Sequence, residues 1–111
     1  MEHDLESACR LSGALWRFLV LHGHHGESLY WLETMLAQAT SVPPAVRARV
    51  LEGIVTLAYV MSDYPKARAR CEEALAIWQA LGDLSGEAWM LHGLGRILYE
   101  DRGLLQGELA L

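Results

Sequence analysis

Several features of catalytic and membrane proteins are missing from this sequence. No apolar run reaches the roughly 18 residues of a membrane span, because Arg10, Arg17, His22 and His24 interrupt the richest stretch. The N-terminal MEHDLESACR is acidic and polar, which excludes a secretory signal. Cysteine is scarce: Cys9 and Cys71 lie far apart in helical patterns, with no C-x-x-C. Reduced, packed thiols in a cytoplasmic protein are the expectation. Basic excess is absent too, since 9 Lys+Arg face 14 Asp+Glu for a net charge of -5. That balance argues against direct nucleic-acid binding, which needs a basic face. No segment alternates β-branched residues between turn pairs, so no strand is expected. Low-complexity tracts are lacking, and the longest loop is about five residues. There is no phosphate-binding loop, because Gly93-Leu94-Gly95 falls inside a helical pattern with no strand before it. No Ser-His-Asp set or carboxylate pair stands out, so the chain is expected to be no enzyme and to hold no cofactor. His22, His24 and His25 with Glu27 crowd a single turn and cannot easily converge on a tetrahedral ion. A solvated turn, not a metal site, is the reading there.

What the sequence does contain is helix. Its 111 residues fit a single domain, and a hydrophobic content of 52% is high for so small a one. A mean hydropathy of +0.14 points the same way, toward a piece of a longer array. The best-formed stretch is Arg47 to Asp83. Val50, Leu51, Ile54, Leu57, Ala58 and Met61 mark the apolar face of one helix, and Ala67, Cys71, Ala74, Leu75 and Trp78 that of the next. Between them lies a tight turn, Ser62-Asp63-Tyr64-Pro65. Asp63 is placed to cap the second helix, and Pro65 fits its first turn, whose N–H groups have no intrahelical partner.

Other elements extend the pattern in both directions. A first helix is expected over about Leu5 to Leu21, then a turn at Gly23-His24-His25-Gly26. A second helix follows through ESLYWLETMLAQAT, with Leu29, Trp31, Leu32, Met35, Leu36 and Ala39 as its apolar set. Ser41-Val42-Pro43-Pro44 ends it, and Pro44 or Ala45 can start the central hairpin. That hairpin closes at Leu81-Gly82-Asp83, a glycine stop followed by a cap candidate. A fifth helix should run from Leu84 or Ser85 to Asp101, with Trp89, Leu91, Leu94, Ile97 and Leu98 inward. Arg102-Gly103 then reads as a turn, and LLQGELAL as the start of a sixth helix. An end in the middle of such a stripe suggests a fragment of a longer protein, with Met1 as an expression start.

Laid over one another, the hairpins repeat at about 40 residues: Leu51 matches Leu91, Val55 matches Gly95 and Tyr59 matches Tyr99. With Leu51, Ile54, Ala58, Asp63, Tyr64, Ala67, Ala74 and Leu75 in the middle copy, and Leu91, Leu94, Gly95 and Gly107 in the third, the chain resembles the tetratricopeptide repeat family. Val55 and Trp16 depart from its small-residue positions, and the spacing exceeds its usual period of roughly 34 residues. The resemblance implies an all-α fold, antiparallel helical hairpins stacked as a right-handed α-solenoid. Its repeats would cover about 5–41, 44–82 and, incompletely, 84–111 of one domain. Small side chains at Ala67, Ala74 and Gly95 would let helix axes approach closely. The longer spacing, with LGDLSGEAWMLHGLGRILYEDRG and ALWRFLVLHGHHGESLYWLE, is similar to the repeat regions of large bacterial ATPase/LuxR-type transcriptional regulators.

In that family the first helix of each hairpin lines a concave face. Three- and four-residue steps off the packing stripe pick out Arg10 and Arg17, then Arg49, Glu52, Thr56 and Tyr59, then Trp89, His92, Arg96 and Tyr99. Arginines and aromatics dominate interface hot spots, and arginine grips carboxylates in bidentate fashion. A protein or peptide partner with an acidic group is therefore expected there. The alternative is that these side chains pack on one another or on the next repeat. A small-molecule effector enclosed by Arg17, Tyr59, Trp89 and Tyr99, or a spacer with no ligand, are the other two readings. Leu104, Leu105, Leu109 and Leu111 form an uncovered stripe, from which self-association is expected.

Overall fold

A computed structural model describes residues 25–38 and 40–110, with side chains described as far as Arg102. Four α-helices make up the described chain: α1 His25–Gln38, α2 Pro44–Val60, α3 Tyr64–Leu81 and α4 Leu84–Ala110. Each packs on the next in order, α1 on α2, α2 on α3 and α3 on α4. No strand occurs among the described residues, and none of these helices is long and apolar enough to cross a membrane. The expected first helix, with Cys9, Trp16, His22 and His24, lies outside the described residues.

Local chemistry sets the helix ends. Pro44 opens α2 after Pro43, held extended at φ -55° and ψ 143°. Between α2 and α3, Ser62 takes the left-handed conformation at φ 62°, and the Asp63 N–H donates to the Ala58 carbonyl at 2.8 Å. The Asp63 carboxylate then accepts from the Lys66 N–H at 3.3 Å. Between α3 and α4 the same motif recurs: Gly82 at φ 71°, Asp83 N–H to the Trp78 carbonyl at 3.0 Å, and Asp83 Oδ1 accepting from the Gly86 N–H at 2.9 Å.

One core runs through the stack. Leu29, Leu32, Met35 and Leu36 of α1 meet Val46, Ala48, Val50, Leu51, Ile54, Leu57 and Ala58 of α2. Ala67, Cys71, Ala74 and Trp78 of α3 continue it to Met90 and Ile97 of α4. Polar links tie the helices at the surface. The Arg70 guanidinium donates to Glu33 at 2.7 Å, joining α3 to α1. Arg47 Nη1 donates to the Leu36 carbonyl at 3.2 Å, one of the α1 carbonyls left without an intrahelical partner.

The structure corrects four expectations. His25 and Gly26 belong to α1 rather than to the preceding turn. No turn forms at Arg102-Gly103, and there is no separate sixth helix, because α4 runs unbroken to Ala110. In the two real turns the left-handed residue is followed at once by an aspartate that caps the next helix. Gly103 is followed by Leu104, and a lone glycine costs a helix only about 1 kcal/mol.

Thirdly, Trp89, Leu91 and Leu98 are not inward but 55%, 49% and 39% exposed. The buried line of α4 is Met90 and Ile97, with Leu94 partly covered. Both flanks of α2 are covered, by α1 and α3, so its broad apolar stripe is buried. One flank of α4 has no neighbour among the described residues. Trp31 and Met61, read as members of apolar stripes, are likewise exposed. Fourthly, Gly95 makes no close helix contact: a Cβ built there would meet nothing within 4 Å. The glycine that packing requires is Gly86, where a Cβ would overlap the Trp78 ring, 2.6 Å from its Cγ.

Candidate functional site

Helices α2 and α4 both lean on α3, and on one side they leave a groove between them. It deepens into a cavity of about 240 Å³, partly open to solvent. From α2 come Glu52, Val55, Thr56 and Tyr59, and from α4 Trp89, Met90, His92, Gly93, Arg96 and Ile97. The α2 residues follow helical steps of three and four, which line them up along one edge of the groove. On α4, Trp89 to Gly93 to Arg96 makes the opposing edge, with Met90 and Ile97 one step inward. Val55, Met90 and Ile97 are buried apolar residues, so the floor is greasy and the rim polar.

Contacts across the rim are specific. The Arg96 guanidinium lies 5.4 Å from the centre of the Tyr59 ring, and its Nη2 donates to the Tyr59 hydroxyl at 3.4 Å. Tyr59 also meets Tyr64 edge-on, with ring centres 5.9 Å apart, which braces it from the α3 side. On the other rim Trp89 and His92 lie with ring centres 6.4 Å apart. Thr56 donates its hydroxyl to the Glu52 carbonyl at 3.1 Å, within α2.

Of the ten residues singled out from the sequence, six meet around this cavity: Glu52, Thr56, Tyr59, Trp89, His92 and Arg96. Tyr99 stands one turn beyond, 78% exposed, in a more open pocket of about 490 Å³ that it lines with Leu91, Gly95 and Glu100 and that shares His92 and Arg96 with the first. Arg49 is placed elsewhere. Its guanidinium sits over the Trp78 ring of α3, 5.9 Å from the ring centre, and it does not line the cavity. Arg10 and Arg17 lie outside the described residues, as do the side chains of Leu104, Leu105, Leu109 and Leu111.

Sequence reasoning found only part of the floor: Ile97 is expected inward, and Met90 is not singled out. Met90 and Ile97 are seven residues apart, two turns on one face, but apolar neighbours at Trp89, Leu91 and Leu98 broaden the stripe and hide that face. Gly93 carried a signal that went unused: a glycine mid-helix that no packing contact requires. Among the described residues, no group of three or more His, Cys, Asp or Glu side chains could hold a metal ion. Cys71, behind the groove, has a perturbed thiol. Burial, with a smaller contribution from the neighbouring Glu72 charge, raises its thiol from the ordinary 9.0 to about 11. Its Sγ donates to the Met90 carbonyl at 3.3 Å.

Residues 46–106 match a family model described as tetratricopeptide repeat, a segment that includes both edges of the groove. Comparison with curated proteins and with solved structures gives no match.

Proposed function

Because the chain belongs to the tetratricopeptide repeat family, whose repeats generally mediate protein–protein interaction, we propose that it binds a peptide or protein segment in the groove between α2 and α4. The observation that carries this reading is the convergence of Tyr59, Trp89 and Arg96 on one partly open cavity. These residue types supply most interface binding energy. The shape of the groove supports a chain-like ligand: the cavity of about 240 Å³ is partly open and adjoins a still more open pocket of about 490 Å³ that shares His92 and Arg96, whereas small-molecule sites enclose most of their ligand. Arg96 supports the expectation of an acidic group on the partner.

The sequence likeness to repeat regions of large bacterial regulators supports a wider setting. In it, the chain is the non-catalytic, cytoplasmic scaffold or sensor segment of a multidomain transcriptional regulator. Its stacked repeats hold a partner protein while other domains carry nucleotide and DNA. Self-association belongs to the same proposal, now with a described surface behind it: Leu84, Leu91 and Leu98, seven residues apart, are exposed along α4.

A peptide array probed with the full chain and with Trp89→Ala and Arg96→Ala tests the groove. Both residues are exposed, so neither variant should disturb folding. The expected result is loss of most captured peptides in each. Capture that neither substitution alters places binding elsewhere and sinks the proposal.

A further inference from the structure

The cavity between α2 and α4 has a shape and a charge that narrow its ligand, on the premise that the groove is the binding surface. We infer that it accepts one apolar side chain, aromatic or large aliphatic, from an extended peptide. Arg96 then takes the carboxylate of an acidic residue two positions away in that peptide.

Three observations carry this. The first is size: about 240 Å³ suits a single side chain. The second is lining. Val55, Met90 and Ile97 make a buried apolar floor, and Tyr59 and Trp89 line the cavity from separate helices. Trp89 leaves more than half its surface in water, an apolar area that an inserted side chain would cover. The third is the state of Arg96. Arg68 and Arg70 are paired with glutamates, and Arg49 rests on Trp78. Among the described residues Arg96 has no ion-pair partner within 4 Å, although Glu52 lines the same cavity. Its contacts are the Tyr59 ring and hydroxyl, which orient the guanidinium yet use only one of its five donors. An oriented guanidinium with no direct ion pair, at the edge of an apolar cavity, complements an anion beside an apolar anchor. In an extended peptide alternate side chains point the same way, roughly 7 Å apart, so anchor and acid are best placed at positions i and i+2.

Gly93 gives a clean way to block the cavity. A Cβ there has open space, and leucine is a better helix former than glycine, so Gly93→Leu fills the pocket while keeping the fold. The probe is a peptide with blocked termini, acetyl-Gly-Phe-Gly-Asp-Gly-amide, which carries no terminal carboxylate. It is titrated into the ¹⁵N-labelled full chain and followed by amide chemical shifts. The expected result is shifts at Val55, Tyr59, Trp89, Gly93 and Arg96. The Asp-to-Asn peptide should bind about tenfold more weakly, the size of a charge-assisted hydrogen bond. Phe-to-Ala should weaken binding as well. Arg96→Gln should erase the Asp/Asn difference and keep the Phe preference. Gly93→Leu should remove both with an unchanged or raised unfolding midpoint. The inference is overturned by Asp/Asn discrimination that survives Arg96→Gln, or by affinity that survives Gly93→Leu. Groove shifts indifferent to Phe-to-Ala overturn it while leaving the groove as the binding surface. No shift in α2 or α4 overturns both.

Discussion

Single side chains decide more here than their chemistry suggests, and glycines show it best. Gly86 lies against the Trp78 ring, which is itself topped by Arg49, so a methyl group at position 86 has nowhere to go. Gly86→Ala should cost about 1–3 kcal/mol by overpacking, despite the better helix propensity of alanine. Gly93→Ala, in open space, should instead gain up to about 1 kcal/mol. Urea unfolding of the two variants side by side checks this, and equal effects would refute the packing account. Cys71 supplies a pH dependence. Its thiol ionises near 11 in the folded chain against 9.0 in the unfolded one. The folded state therefore holds the proton longer, and stability falls as pH rises from 9 toward 11, by roughly 2–3 kcal/mol at most. Cys71→Ala should flatten that decline in a pH series of unfolding midpoints. A slope unchanged by the substitution would assign it to other groups.

At the scale of elements, the two described turns use one motif with different residues. Ser62 and Gly82 both occupy the left-handed region, and each precedes an aspartate cap. Serine bears the Cβ penalty of that conformation and glycine does not. Ser62→Gly should accordingly stabilise the chain by about 1 kcal/mol, and Gly82→Ala should destabilise it by a similar amount. Thermal unfolding reads both, and a destabilised Ser62→Gly would contradict the shared motif. These turns also mark how far the sequence could be read. Asp63, Pro65, Gly82 and Asp83 announced their roles because capping is local chemistry. Gly103 misleads because a glycine alone reads as a stop. In the two aspartate-capped turns it is the following aspartate that restarts a helix, whereas Leu104 follows Gly103. The inward face of α4 was illegible for another reason. Leu91 and Leu98 belong to the same broad stripe as Ile97, and which part is covered depends on how many neighbours the helix has. Helical steps along α2 and α4 name six residues that line the cavity, because one edge of a groove follows helical period. They also name Arg49 and Tyr99, which do not line it, and most of the floor depends on where α3 lies.

Across the whole molecule, contacts join each helix mainly to its sequence neighbours, so stability should be graded rather than uniform. Helices α2 and α3, covered on two sides, should show the slowest native-state hydrogen exchange. The amides of α4 from Leu98 to Arg102 should exchange faster, because none of these residues is buried. Uniform protection across α2, α3 and α4 would point instead to a single cooperative unit.

The groove has a second governor that no ligand touches. Helix α3 stands behind it, and the side chains it presents there are small: Ala67, Cys71 and Ala74, all fully buried. Their size decides how deeply α2 and α4 settle onto α3, and so how far apart the two rims stand. Cys71 reaches the backbone of Met90, which floors the cavity. These three residues work as shims in a vice. A methylene added at position 71 or 74 would reset the jaws from the rear, making the aperture tunable by positions that never meet the partner.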